Sequence, residues 1–261
     1  MEAPLLSVEH LTVSVQGDPT GKELVKEVSF QISTGKISAL VGGSGSGKTT
    51  TGLAILRLLS PALRMDSGQI RLNGVNLLSL TEEGMRRIRG KQISMVFQEP
   101  LNAFNPVLRI GAQIAEMLQV HTDLSASQRR ARILELLKIV EINDPLRVAS
   151  QYPHQLSGGL RQRAMIAQAI AAKPRLLIAD EPTSNLDVTI QARIMELFRK
   201  LRTELELTMI LITHDLGLVR ELADEVVVFC GGKVVEKGFS KELFDHPGHP
   251  YTRQLLEASL L

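Results

Sequence analysis

The sequence contains no tryptophan, and aromatic residues make up only 3% of its 261 positions. Stacking platforms for nucleic-acid bases are therefore not expected. A single cysteine, Cys230, excludes a disulfide framework and any cluster that needs several cysteine thiolates. It follows the apolar run EVVVF and reads as a packing residue at a strand end. No apolar run approaches the roughly 20 residues of a membrane helix. The opening MEAPLLSVEH lacks the basic and long apolar regions of a signal peptide. A cytosolic chain is expected, one that docks on a membrane component if it works at a membrane. The excess of charge of one sign is also small. The net charge is +2, and the short clusters MRRIR and QRRAR read as solvated helix faces, so no nucleic-acid partner is expected.

What is present is enough apolar residue, 44%, to bury one large domain or a domain carrying an inserted subdomain. LLSVEHLTVSV and VKEVSFQIS alternate as strands do, and GQIRLNGVNL reads as a hairpin turned at Asn73-Gly74. KISALVGG, QISMVFQ, RLLIADEP and TMILITHD are short continuous apolar runs that end in glycine or polar residues. Such runs are buried strands of a parallel sheet. TTTGLAILRLL is expected to be a helix that stops near Pro61. DEVVVFCGGKVVEKG reads as strand, turn, strand. Between about Glu99 and Ala172 the apolar spacing becomes helical. The expected organisation is an α/β core over 1–98 and 173–240 with an antiparallel β portion. A helical insertion spans 99–172 and a tail spans 241–261.

All four of these strand ends carry chemistry. GGSGSGKT, Gly42 to Thr49, fits a phosphate loop placed between a strand and a helix. Glycines let such a loop wrap phosphates and point several amides inward. Ser44, Gly45, Ser46 and Gly47 are expected to donate amides. Lys48 is expected to reach the terminal phosphates, and Thr49 to place its hydroxyl on Mg²⁺. Asp180 and Glu181 end the run RLLIAD-E, at the strand edge where ligands bind in open α/β sheets. Asp180 is read as holding Mg²⁺ through water, and Glu181 as the general base for an attacking water. His214 follows another buried strand and is placed beside the γ-phosphate. Gln98 follows ISMVF and opens the helical segment; its amide is read as touching Mg²⁺ or the attacking water. That places it as a mechanical link between nucleotide and insertion.

One stretch remains, LSGGLRQR, in which Ser157, Gly158 and Gly159 precede a basic helix. A helix N-terminus is an anion site, and this would be a second one in the same chain. The order GGSGSGKT, Gln98, LSGG, LLIADEP, SNLD, His214 resembles the ATP-binding-cassette ATPases over essentially the whole chain. That resemblance implies a P-loop NTPase core with a parallel sheet, an antiparallel β subdomain and an inserted α-helical subdomain. It implies ATP and Mg²⁺, with Gly42, Gly43 and Thr50 joining the loop's binding residues. It also implies two cassettes paired head to tail, so that Ser157, Gly158 and Gly159 contact the γ-phosphate bound by a partner. Ser184 to Asp187 would then run along the dimer interface.

YPHQLSGGLRQR and the tail HPGHPYTRQLL further resemble the ATPases of peptide and nickel importers, and ALVGGSGSGK and AFNP lean towards the nickel branch. The implied protein is the ATPase of a nickel or di/oligopeptide importer at the cytoplasmic face of the inner membrane. Its implied partners are two permeases, a second cassette (a sibling or an identical chain) and an extracytoplasmic solute-binding protein. A soluble non-transport cassette ATPase is the alternative of another class. HPGHPYT, with His246 and His249, reads as a proline-stiffened turn, with a metal site as the alternative. Two positions depart from the family. Val13 and Val15 stand where an aromatic usually stacks on adenine, and Leu160 stands where glutamine often follows the signature glycines.

Overall fold

A computed structural model of the chain describes residues 3–184 and 186–258. In chain order the first elements are β1 (Leu6–Val15), β2 (Glu23–Ile32), β3 (Ile37–Val41), α1 (Lys48–Ile55), β4 (Leu63–Leu72) and β5 (Val75–Asn76). Next come α2 (Glu82–Ile88), β6 (Ile93–Val96), α3 (Pro100–Ala103), α4 (Ile110–His121), α5 (Ala126–Ile139), α6 (Pro145–Ser150) and α7 (Gly158–Ala169). The last are β7 (Leu176–Asp180), α8 (Val188–Leu205), β8 (Thr208–Ile212), α9 (Leu216–Leu222), β9 (Glu225–Cys230), β10 (Lys233–Phe239), α10 (Ser240–Asp245) and α11 (Pro250–Ala258). They form two compact units. One comprises Met1–Met85 with Thr208–Leu261, the other Arg86–Leu207.

The first unit holds two sheet portions. One is antiparallel, in the order β2-β1-β4-β5. Its alternating residues Leu6, Val8, Val13, Phe30, Ile32 and Ile70 are buried. The expected hairpin is present: Leu72 pairs with Val75, and Asn73 and Gly74 both have positive φ. The register slips within β1 between Val8 and Val13, near two residues with left-handed backbones, His10 and Glu27. Side chains satisfy the amides these irregularities free. Ser29 Oγ accepts from His10 N–H at 2.8 Å, and Thr12 Oγ1 from Glu27 N–H at 3.2 Å.

In the other portion β3 pairs in parallel with both β8 and β9, and β10 returns antiparallel on β9. Every residue of β3 and β8 is buried, as their largely apolar runs require. Each valine, leucine or isoleucine so buried is worth about 1.5–3 kcal/mol. Ala39, Val41, Val226 and Val228 pack with Val219 and Leu243, and Phe244, Tyr251 and Leu255 of the last helices close over them. The tail is thus part of this core.

The second unit joins the parallel pair β6 and β7 to helices. Its helix starts are capped as their sequences dictate. Ser125 and Gln128 form a capping box at α5, Asp144 caps α6 and Asp187 caps α8, each cap worth about 1 kcal/mol. The buried face of α8 comprises Ile194, Met195, Leu197, Phe198 and Leu201. Ile190 and Leu205, near the two ends of the helix, are only half-buried.

Candidate functional site

In the first unit β3 ends at Val41 and the glycine-rich loop follows at once. Gly42 has φ +146, and a Cβ placed there would lie 2.1 Å from the carbonyl oxygen of Phe229. Gly47 has φ +102 and would bring a Cβ to 2.8 Å from the Leu24 carbonyl oxygen. Neither position admits a side chain. The loop is braced from within: Ser46 N–H donates to Gly43 O at 3.2 Å, and Gly232 N–H to Ser46 O at 3.2 Å. The Lys48 ammonium is buried inside the loop, donating to Gly42 O at 2.7 Å and Gly43 O at 2.9 Å. Ser44 and Gly45 are exposed at the tip, as is Thr49 at the start of α1, and Thr50 is half-buried. The sequence-expected loop residues are therefore together, with a cation and a helix N-terminus at one place. Such a loop suits a polyphosphate.

His214 is exposed two residues beyond β8. Because Leu40 of β3 pairs with Ile212, it leaves the sheet at the same edge as the phosphate loop. Val13 is fully buried in the antiparallel sheet and takes no part at the surface, whereas Val15 is half-buried.

The second unit repeats this edge arrangement. Val96 pairs with Ala179, so Gln98 and Asp180 emerge from the same ends of β6 and β7. Gln98 is exposed, Asp180 is buried and Glu181 is half-buried. Glu181 has φ +45, a left-handed backbone that is rare for a glutamate. The amide and hydroxyl of Ser184 both donate to its carbonyl oxygen, at 3.1 and 2.9 Å. A strained residue fixed this firmly is characteristic of a working site.

Ser157 caps α7, its hydroxyl accepting from Leu160 N–H at 3.4 Å. A Cβ on Gly159 would lie 3.1 Å from Ile190 Cγ2. Ser157 and Gly159 open onto a cleft of about 610 Å³ that Arg147, Arg163 and Arg193 also line. Arg163 is anchored there, donating to Val140 O at 2.7 Å and to Glu141 Oε2 at 2.9 Å. Ser184, Leu186 and Asp187 lie between the acidic strand and α8, and Asn185 lies outside the described residues.

A model of the ABC transporter family matches residues 25–184, from β2 through the phosphate loop, the signature and the acidic strand. The chain belongs to the ABC transporter family. This ABC cassette is a transport-coupled ATPase of the α/β P-loop class, within the peptide and nickel importer branch. A peptide import ATP-binding protein of Brucella abortus is 49% identical over 256 residues, 98% of this chain and 77% of that protein. A dipeptide transport ATP-binding protein of Haemophilus influenzae is 44% identical, over 97% of this chain and 77% of that one. Among solved structures, a dimeric ATP-binding cassette in a post-hydrolysis state with ADP and Pi matches with TM-score 0.80 and 29% identity. It covers 90% of this chain and 98% of its own.

The cassette also uses residues that its motifs did not single out. Tyr251 accepts a hydrogen bond from Gly43 N–H at 2.9 Å. It belongs to HPGHPYT, whose expected turn is observed: His249 Nδ1 accepts from Tyr251 N–H at 3.1 Å at the start of α11. Among the described residues there is no group of three or more His, Cys, Asp or Glu that could hold a metal ion. Glu236 of β10 ties that turn down. It accepts Gly248 N–H at 2.7 Å, His249 N–H at 3.0 Å and the Thr252 hydroxyl. Burial pushes the Glu236 carboxyl up, but the Thr252 hydroxyl and the two amides outweigh it and hold the pKa below its ordinary value. No helix of the described residues is long and apolar enough to cross a membrane.

Proposed function

We propose that this ABC cassette hydrolyses ATP to drive uptake of di- or oligopeptides across the cytoplasmic membrane, from its cytoplasmic face. The observation that carries the peptide assignment is the identity of 44–49% to peptide- and dipeptide-transport ATP-binding proteins over nearly the whole chain. The sequence lean towards nickel rested on ALVGGSGSGK and AFNP, segments that touch no cargo. The peptide alternative is therefore the better supported one.

In this reading the amides of Ser44 to Gly47 and the Lys48 ammonium cradle the phosphates, with Gly42, Gly43 and Thr50 shaping the loop. Glu181 accepts a proton from water as its oxygen attacks the γ-phosphorus and the bond to the bridging oxygen of ADP breaks. His214 stands beside the γ-phosphate. Thr49, Asp180 and Gln98 offer the hard oxygen donors that suit Mg²⁺. Mg²⁺, when bound, neutralises charge on the β- and γ-phosphate oxygens. Ser157, Gly158 and Gly159 meet the γ-phosphate bound by a second cassette, and Ser184 to Asp187 line that interface. The charged cleft beside Ser157 and the exposed N-terminus of α7 support this part.

The partners are two membrane permeases, a sibling or identical cassette and an extracytoplasmic solute-binding protein. The helical segment 99–172, with Leu101, Val107 and Leu108 exposed near its start, is the part that docks on the permeases. The test is to purify the tagged chain from solubilised native membranes, identify what accompanies it, and assay ATPase in the reconstituted complex. Stimulation by peptides and not by nickel supports the proposal. Stimulation by nickel alone, or recovery only with ribosomal or DNA-repair proteins, overturns it.

A further inference from the structure

The phosphate loop is held from one side by a segment more than 200 residues away. Gly43 is the node. Its N–H donates to the Tyr251 hydroxyl oxygen at 2.9 Å, while its carbonyl accepts from Lys48 Nζ at 2.9 Å and Ser46 N–H at 3.2 Å. It stands one residue before the amides assigned to the phosphates, so Tyr251 satisfies a donor that the nucleotide does not need. Tyr251 packs against the core cluster that includes Val41 and Val228, as does Leu255. Its backbone is fixed by His249, and the turn carrying it by the three hydrogen bonds to Glu236. A continuous chain of contacts therefore runs from Glu236 in β10 through Thr252 and Tyr251 to Gly43 and the ammonium of Lys48. Every member lies in one compact unit.

We propose that Tyr251 is a positioning residue for ATP: its hydroxyl, held in place by Glu236 and Thr252, sets the first turn of the phosphate loop and with it the place of Lys48. A loop that must present several amides and one ammonium to a polyanion binds more tightly when its shape is fixed beforehand. Tyr251 supplies that constraint from outside the loop, at a residue whose amide and carbonyl are both engaged. The C-terminal turn thereby becomes a component of the nucleotide site. This inference rests on the reading of residues 42–50 as the ATP site.

The test is Tyr251→Phe in the full chain. It removes one oxygen and leaves the ring packing intact. ATP affinity is measured by titration with a fluorescent ATP analogue, KM and kcat by steady-state hydrolysis, and thermal stability alongside. The expected result is a three- to tenfold weaker ATP affinity, about the worth of one hydrogen bond. KM should rise in parallel, with kcat and Tm nearly unchanged. Glu236→Gln, which turns one acceptor oxygen into an amide donor facing the N–H of either Gly248 or His249, should weaken binding in the same direction. The double variant should be no worse than the more affected single one, because both act through one chain of contacts. Wild-type affinity in Tyr251→Phe, a fall in Tm with ATP affinity intact, or additive effects of the two substitutions would each overturn the proposal. Failure of the wild-type chain itself to bind ATP would instead overturn the reading of the loop.

Discussion

Ser184 donates two hydrogen bonds to the carbonyl of Glu181, from its amide at 3.1 Å and from its hydroxyl at 2.9 Å. They fix a glutamate whose backbone sits at φ +45. A left-handed non-glycine residue costs on the order of 1–3 kcal/mol and persists only where its surroundings hold it. Ser184→Ala removes one of the two bonds, worth about 1 kcal/mol. The expected effect is a several-fold fall in kcat with ATP affinity unchanged, read by steady-state kinetics against a binding titration. Equal loss in both quantities would show that the turn does not act through Glu181.

Gly42→Ala should abolish nucleotide binding. The added methyl would lie 2.1 Å from the Phe229 carbonyl oxygen, and the backbone at φ +146 is strained for any side chain. The cost is at least about 2–3 kcal/mol. Gly45→Ala is the contrast: its φ of +73 brings strain, but nothing lies within 4 Å of the added methyl. Parallel titrations should find weakened binding at position 45 and none at 42.

The phosphate loop was legible because glycines, Lys48 and Thr49 at fixed spacing leave few other readings, and the two hairpins because Asn73-Gly74 and Gly231-Gly232 demand tight turns. Buried strands announced themselves as continuous apolar runs. The backbone of Glu181 did not, since no glycine or asparagine marks it; the strain is imposed by Ser184 and by the end of β7. The end of α1 is likewise not marked in the sequence. Its apolar spacing runs on to Leu59, yet the helix stops at Ile55 and Arg57 takes a left-handed backbone whose guanidinium donates to Leu77 O and Leu80 O. Tertiary partners, not local propensity, decide there. Val13 was read beside the adenine position, but burial on the core face of β1 takes it away. Tyr251 stands within HPGHPYT, yet nothing local joins it to Gly43 across 208 positions.

Acid should release the tail before it unfolds the chain. The Glu236 carboxylate is charged in the fold and held below its ordinary pKa, chiefly because the Thr252 hydroxyl and the amides of Gly248 and His249 outweigh the opposing effect of burial, with the His249 imidazole adding a favourable charge. A depressed carboxylate stabilises above its unfolded pKa, and that stability is lost as pH falls through the folded value. The window therefore lies at and below about pH 4.5, the ordinary glutamate value. Hydrogen exchange of residues 247–252, corrected for intrinsic rates, should lose protection through this range. In Glu236→Gln the protection should be low at every pH.

The most direct measurement is ATP hydrolysis by Glu181→Gln in the complex the chain purifies with, beside ATP binding in the same preparation. The substitution keeps the shape of the side chain and removes its ability to take a proton from water. We expect ATP affinity within about threefold of wild type and turnover lower by about 100-fold or more, in the range of a lost general base. Turnover near the wild-type rate, with ATP still bound, would contradict the account and remove Glu181 from the reaction.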